Sequence, residues 1–301
     1  MQNKLAPICL FVYNRLDNLK QTVESLQKND SAKDSDLFIF SDGPKDEIAK
    51  PQVIAVRKYL KSISGFKNIT IIERQENYGL AKSIIAGVSE IINKYGKIIV
   101  LEDDMVSSPY FLRYLNEALD FYENEDRVVS IHAYIYPVKT ELPETFFIKG
   151  ADCWGWATWK RGWDLFQSDG KKLLTELKNK NLTKQFDFNG SFDYSKMLEG
   201  QIFGKNNSWA IRWYASAFLA NKLTLYPGKT LIINTGLTDG THCKTADDFL
   251  NTQISDKPIS IKKIQLKENK QARKAFIKFF NTLKPSIFRR LINKIKRICY
   301  Q

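Results

Sequence analysis

The sequence predicts an α/β protein built on a mostly parallel sheet flanked by helices, and three observations carry that expectation. Apolar runs of strand length alternate with segments of helical periodicity over roughly the first hundred residues. The fourth apolar run, Ile98-Ile99-Val100-Leu101, ends in three consecutive acids, Glu102-Asp103-Asp104. Hydrophobic residues fill 43% of the 301 positions and aromatic ones 13%, enough for a sizeable core.

The elements follow in order. Residues 7–13 read as a buried strand, after which Leu19, Val23 and Leu26 recur at helical spacing. Residues 37–40 form a second strand, stopped by the turn former Ser41-Asp42-Gly43-Pro44, with a helix over about 51–62. Residues 69–72 are the third strand. Leu80, Ile84, Val88 and Ile91 mark a helix that leads into the fourth, at 97–101. This βαβαβαβ grammar brings the carboxyl ends of all four strands to one edge.

Beyond the acidic turn, Phe111, Leu115, Leu119 and Tyr122 mark one more amphipathic helix. The pattern then changes to short mixed strands, at 128–136, 145–149 and 231–233. Four of the six tryptophans lie within 154–163, and Trp209 and Trp213 are the others. That density suits a packed aromatic lid over the sheet or a sugar-stacking surface. Residues 168–208 are polar and rich in Asn, Lys and Gly, which predicts a mobile excursion.

The net charge of +13 is unevenly placed. Residues 262–301 hold thirteen Lys or Arg against the single acid Glu268, leaving the rest of the chain close to neutral. A globally basic nucleic-acid surface is therefore excluded as the source of the charge. In the basic segment Ala275, Phe276, Phe279, Phe280 and Leu283, then Ile287, Phe288, Leu291, Ile292, Ile295 and Ile298, form apolar stripes. Two amphipathic helices on an anionic membrane surface are the expectation, and a helix packed on the body with a solvated basic face is the alternative. Cys9, Cys153, Cys243 and Cys299 are far apart and form no CxxC pair, so reduced thiols are expected. No leader pattern and no apolar run of membrane-spanning length is present, and a cytoplasmic protein, peripheral on the inner face of the cell membrane, is expected.

The chemistry concentrates at the strand ends. Neither a P-loop nor a GxGxxG fingerprint occurs. The four ends carry Tyr13-Asn14-Arg15, Ser41-Asp42-Gly43, residues 74–79 and Glu102-Asp103-Asp104. Adjacent carboxylates supply hard oxygens for Mg²⁺ or Mn²⁺, and a phosphate ester is the natural cargo. Each group also has a structural reading: the triplet as an acidic helix start, Asp42-Gly43-Pro44 as a turn, Arg74 as a surface pair.

In this order the strand ends resemble the nucleotide-sugar half of a GT-A glycosyltransferase, of the bacterial family 2 type. Around Glu-Asp-Asp the chain is also similar to N-acetylglucosaminyltransferase I. The resemblance covers about residues 5–243. It implies a GT-A, Rossmann-like sheet with a mixed acceptor-side half, and transfer of a sugar, with inversion, from a UDP donor to a glycan or lipid-linked glycan. It places the divalent metal on Asp104, the ribose near Asp103 and the donor sugar near Glu102. Tyr13, Arg15 and Asp42 fall where the family holds the nucleotide, and Arg74, Asn77 and Lys82 where it approaches base or diphosphate. Residues 153–159, with Trp154 and Trp156, resemble the aromatic acceptor-side segment, which Trp209 and Arg212 extend.

Residues 208–213 occupy the region where the resemblance to N-acetylglucosaminyltransferase I places a catalytic aspartate, and no acid stands there. The general base is open among Asp152, Asp193, Glu199 and Asp239, each of which also reads as a solvated surface acid. His242, in a glycine-bearing loop after residues 231–233, is a candidate second metal ligand, whereas His132 inside an apolar strand reads as core. Residues 1–260 are expected to form the transferase domain, divided into a nucleotide-sugar half (1–106) and an acceptor half (107–260), with 261–301 as a basic helical tail. Two other functions fit less well: a sugar-phosphate nucleotidyltransferase, which needs a Gly-rich loop after the first strand, and a non-catalytic membrane-associated protein on a transferase fold.

Overall fold

The computed structural model describes residues 4–237 and 253–284 of the protein. Strand β1 (Ile8–Val12), helix α1 (Leu16–Gln27), β2 (Asp36–Ser41), α2 (Lys50–Leu60), β3 (Asn68–Glu73), α3 (Gly79–Tyr95) and β4 (Lys97–Glu102) alternate as the periodicity predicts. The four strands lie side by side in the order β3-β2-β1-β4, all parallel. Alternation along each strand explains the two faces. Ile8, Leu10 and Val12 pack with α1, α2 and the later helix α4 (Phe111–Phe121), while Cys9 and Phe11 pack with α3 on the other side. Helix α3 stops at Gly96, whose φ of +78° provides the left-handed turn that returns the chain to β4.

The second half continues the same sheet. Strands β6 (Val128–His132), β7 (Thr145–Lys149), β8 (Trp156–Trp159) and β9 (Leu223–Pro227) extend it to eight in the order β3-β2-β1-β4-β8-β6-β9-β7. β8 runs antiparallel to both β4 and β6. Inserting it beside β4 ends the parallel pattern, so the expected mixed half is present. A separate two-stranded ribbon pairs β5 (Met105–Ser107), directly after the acidic turn, with β10 (Ile232–Asn234).

Three expectations are corrected. Residues 168–208 are not a loose excursion: they contain α6 (Gly170–Asn179), α7 (Thr183–Phe186) and α8 (Tyr194–Ile202), packed on α9 (Trp209–Leu219). Leu173, Leu174, Leu177, Phe186, Phe188 and Leu198 are all buried there, a sparse apolar stripe that the polar composition hides. Of the two readings of the tryptophans, the packed lid is found for four of them in place of a sugar-stacking surface. Trp156 is fully buried, its ring 5.5–5.8 Å from those of Trp163, Trp209 and Trp213 in tilted pairs, so this cluster is core between the sheet, α9 and the short helix α5 (Lys160–Trp163).

The third correction concerns the basic segment. Helix α10 (Lys270–Leu283) opens on Asn269, whose side chain accepts from Ala272 N; it buries Ala275 and sinks Ala272, Phe276, Phe279 and Phe280 into the third core cluster. Its apolar stripe meets the body rather than lipid. The approach to it is fixed as well: Asn269 N donates to Phe147 O at 2.8 Å and Ser260 N to Glu144 Oε1 at 2.9 Å. Over the described residues, then, the stretch from 261 is part of the fold and not a detached tail. The second apolar stripe, from Ile287 onward, lies outside the described residues. Among the described residues no helix is long and apolar enough to cross a membrane.

Candidate functional site

In a doubly wound sheet the ligand crevice opens beyond the strand ends where the strand order reverses. Here that point lies between β1 and β4, and the acidic turn stands on it. β1 runs into Tyr13-Asn14-Arg15, and the Arg15 guanidinium bonds Asp103 Oδ1 and lies 3.0 Å from Asp104 Oδ2. Tyr13 N donates to Asp103 Oδ2 at 3.3 Å. From α1, Thr22 Oγ1 donates to Asp103 O at 2.9 Å and accepts from Met105 N at 3.1 Å, which pins the turn from behind. The 3-10 turn at Thr235–Leu237, reached from β10, closes the other side: Thr235 N donates to Asp104 O at 2.8 Å. Gly236 packs so tightly there that a β-carbon would collide with Asp104 Oδ2 and lie 2.6 Å from Arg15 Nη1.

The electrostatics follow from crowding three acids beside one base. Burial, then the charges of Asp104 and Asp103, push Glu102 up to about 8, with Arg15 opposing. Burial also lifts Asp103 to about 6 against the pull of Arg15. Burial works against the charge of Arg15, yet Asp103 and then Asp104 outweigh it and raise its pKa. One atom is left over: Asp104 Oδ1 is buried and has no hydrogen-bond partner among the described residues. A buried carboxylate oxygen without a donor is costly, and a hard divalent cation is a group that would satisfy it. Among the described residues no three His, Cys, Asp or Glu side chains converge to hold an ion by themselves.

Beside this turn, the β2 and β3 ends form a second structure around Asp42. Its carboxylate accepts from Gly43 N (3.1 Å), Tyr78 N (2.8 Å) and Gly79 N (2.8 Å), and so ties the start of α3 to the β2 end. Asn77 Nδ2 returns a bond to Gly43 O at 2.7 Å. Gly43 is required for this approach, because a β-carbon would lie 2.5–2.8 Å from backbone atoms of Gln75 and Glu76. Arg57 of α2 joins the three segments by donating to Ser41 Oγ, Asp42 O and Arg74 O. Arg74 bonds Ser83 and lies 4.3 Å from the Tyr78 ring, with Lys82 Nζ 3.8 Å from the same ring.

A third group gathers at Asp152. Tyr226 Oη donates to its Oδ2 at 3.0 Å, Tyr136 Oη to the same atom at 3.2 Å, and Cys153 N to Oδ1 at 2.8 Å. His132 Nε2 is 3.6 Å from Oδ2. His132 is fully buried, and that burial lowers its pKa against the pull of Asp152. Burial, and then the charges of Asp152 and Glu102, push the Cys153 thiol well up.

A family model, that of glycosyl transferase family 2, matches residues 8–183, more than half of the chain. The chain belongs to that family. Among solved structures it is similar to the mannosyltransferase PcManGT from Pyrobaculum calidifontis, determined in complex with GDP-Man and Mn²⁺. The two are 12% identical with a TM-score of 0.34, over 45% of this chain and 37% of that one, so the likeness spans little more than a third of the mannosyltransferase. No curated protein matches the chain.

In this family 2 chain the structure sorts the sequence candidates. Tyr13, Arg15, Glu102, Asp103 and Asp104 meet at the switch point, and Asp42, Asn77, Arg74 and Lys82 stand together at the neighbouring strand ends. Of the acceptor-side residues, Trp154 is half-buried with its ring edge-on to Tyr134 at 4.7 Å. Trp156 and Trp209 are core, and Arg212 is buried, donating to Ser208 O and Ser168 O. These three do not form an acceptor surface, because β8 and α9 turn them into the interior. Asp193, just before α8, pairs with Lys196 at 2.8 Å, and Glu199 of α8 pairs with Lys178 at 3.2 Å, so the structure shows both as acids of solvated surface ion pairs. Asp239 and His242 lie outside the described residues. Sequence reasoning missed Arg57, Thr22 and Tyr226, and it marked Asn234-Thr235-Gly236 as a motif without giving Gly236 a role. Only Arg57 carried a local signal, a charge set within the apolar spacing of α2.

Proposed function

We propose that this protein transfers a sugar from a nucleoside diphosphate donor, UDP in the first instance, to a glycan or lipid-linked glycan acceptor, with inversion. The observation that carries this reading is Asp104 at the switch point with one buried oxygen that no described residue satisfies, inside a chain of glycosyl transferase family 2. The likeness to N-acetylglucosaminyltransferase I rests on the Glu102-Asp103-Asp104 turn alone.

Asp104 would hold Mn²⁺ or Mg²⁺, with His242 as a proposed second ligand. When bound, the ion would supply Lewis-acid stabilisation of the departing diphosphate. The chain's own residues do the remainder. Asp103 and Tyr13 shape the nucleotide side, and Asp42, through its hold on Tyr78 and Gly79, keeps the two neighbouring loops in register for the base. Arg15 offers a guanidinium to phosphate oxygens. Asp152 is the proposed general base: its neighbour Cys153 feels the charges of both Asp152 and Glu102, and two tyrosine hydroxyls and a backbone N–H fix the position of its carboxylate for an acceptor hydroxyl. Trp154 is the candidate acceptor-side aromatic.

We further propose that the protein is cytoplasmic and attends an anionic membrane surface. Lys270, Lys274 and Lys278 recur every fourth residue along the exposed side of α10 and make no ion pair among the described residues. Each lysine near such a surface contributes about 1 kcal/mol. Attachment would then be electrostatic over this helix, since its apolar side is already buried.

The test is release of nucleoside diphosphate from a panel of UDP- and GDP-sugars with Mn²⁺ and with EDTA. Metal-dependent release from at least one donor is expected. No release from any of them, with metal and acceptor extracts supplied, overturns the transferase reading.

A further inference from the structure

We propose that Arg15 is a resident counter-cation of the acidic turn, holding Asp103 and Asp104 until a diphosphate arrives to receive its guanidinium, so that metal and nucleotide bind cooperatively. This rests on the reading of Asp104 as the metal-holding residue.

The two oxygens of Asp104 are in different states. Oδ2 faces the Arg15 guanidinium at 3.0 Å, and Oδ1 is buried without a partner among the described residues. A cation on Oδ1 would share its carboxylate with the positive charge already on Oδ2, and like charges at such separation repel strongly where water is excluded. Metal binding therefore works against the Arg15 contact. No other base relieves the turn: among the described residues Arg15 alone reaches ion-pair distance of Asp103 or Asp104. The other cations at the strand ends are engaged elsewhere, Arg57 with Glu73 and three loop oxygens, Arg74 with Ser83 and Tyr78, and Lys82 with Tyr78.

Arg15 is built to leave. It sits in the turn between β1 and α1 rather than inside the helix, and its side chain is 38% exposed whereas those of Asp103 and Asp104 are 4% and 9% exposed. Gly236 lies against one side of the guanidinium, where a β-carbon would come within 2.6 Å of Nη1. A diphosphate in the crevice offers a guanidinium the paired oxygens it binds best. Each ligand then removes an obstacle to the other: the diphosphate draws Arg15 off Asp104, and an ion on Asp104 frees Arg15. Thermodynamic linkage makes the effect reciprocal.

The experiment is direct Mn²⁺ binding to the whole protein by calorimetry and by the Mn²⁺ paramagnetic resonance signal, alone and with UDP. The wild type, Arg15→Gln and Arg15→Met are compared, the last keeping the stem if the first does not fold. Without nucleotide, the uncharged variants are expected to bind Mn²⁺ about tenfold more tightly than the wild type, and the gain on adding UDP is expected to shrink by about the same factor. Arg15→Lys, which retains the charge, should stay near the wild type. Equal Mn²⁺ affinity in wild type and both uncharged variants overturns the role of Arg15 and leaves the metal reading standing. Absence of Mn²⁺ binding in all of them, with and without UDP, overturns the metal reading and this proposal with it.

Discussion

Gly236 rests against the carboxylate of Asp104, close enough that a β-carbon on it would collide with Oδ2. The contact joins β10 to the strand end of β4 across more than a hundred residues of sequence. Its position has no left-handed backbone requirement, so space alone demands glycine. Gly236→Ala should therefore displace Asp104 and Arg15 while leaving the core untouched. We expect a melting temperature within a few degrees of wild type, and a loss of about tenfold or more in Mn²⁺-dependent UDP affinity, equivalent to about 1.4 kcal/mol. Calorimetry showing unchanged affinity would place the metal away from Asp104.

Asp42 is expected to matter first for stability. Its carboxylate is 6% exposed and carries three backbone N–H donors, two of them at the start of α3. Removing it leaves those donors without an acceptor, at a cost of about 1–3 kcal/mol. Urea denaturation of Asp42→Ala should show a lower midpoint at unchanged slope. A midpoint equal to wild type would mean that water replaces the carboxylate and that Asp42 faces ligand instead.

For the base, Asp152→Asn should lower the rate of transfer by about 10²–10⁴-fold while UDP binding stays as in wild type. Glu199→Ala and Asp193→Ala break only surface ion pairs, and activities within about twofold of wild type are expected of them. Full transfer by Asp152→Asn would move the base to Asp239.

Helix α10 separates two properties on its two sides. Phe276 is fully buried among Phe146, Phe188, Tyr226 and Phe280, and Phe276→Ala should cost about 3–5 kcal/mol. The triple replacement of Lys270, Lys274 and Lys278 by Gln should leave the melting temperature unchanged and weaken sedimentation with phosphatidylserine vesicles, most visibly at low salt. Vesicle binding that ignores both the replacement and the salt would remove this helix from the membrane reading.

His132 gives the pH dependence a definite sign. Burial holds its folded-state pKa below the ordinary 6.5, so the folded protein takes up its proton less readily than the unfolded chain. Its contribution is therefore complete above about pH 6.5 and is lost as pH falls through the lowered value. Glu102 and Asp103, with raised values, act in the opposite direction, and the difference between His132→Gln and wild type isolates the imidazole. Comparing urea midpoints at about pH 7.5 and about pH 5.5, the variant should lose less on acidification than the wild type. Equal losses would show that His132 is protonated as easily folded as unfolded.

The sequence by itself determined the alternation of β1 to β4 with α1 to α3, and with it the edge at which Arg15, Asp42, Asn77 and Asp104 assemble. These are local facts: side-chain period fixes which face is buried, and parallel repetition leaves strand ends on one side. Tertiary structure decided what those residues do to each other. Arg15 meets Asp103 across 88 positions and Tyr226 meets Asp152 across 74, and no window of sequence holds both partners. The same limit explains the misplaced aromatics. Trp156 and Trp209 read equally well as surface or core until β8 is seen to pair between β4 and β6, with α9 closing over it. It explains the basic segment too, where the periodicity of α10 announces an apolar stripe but not whether protein or lipid will cover it. Burial of that stripe depends on the cavity left between β7, β9 and α7, which exists only once the sheet is complete.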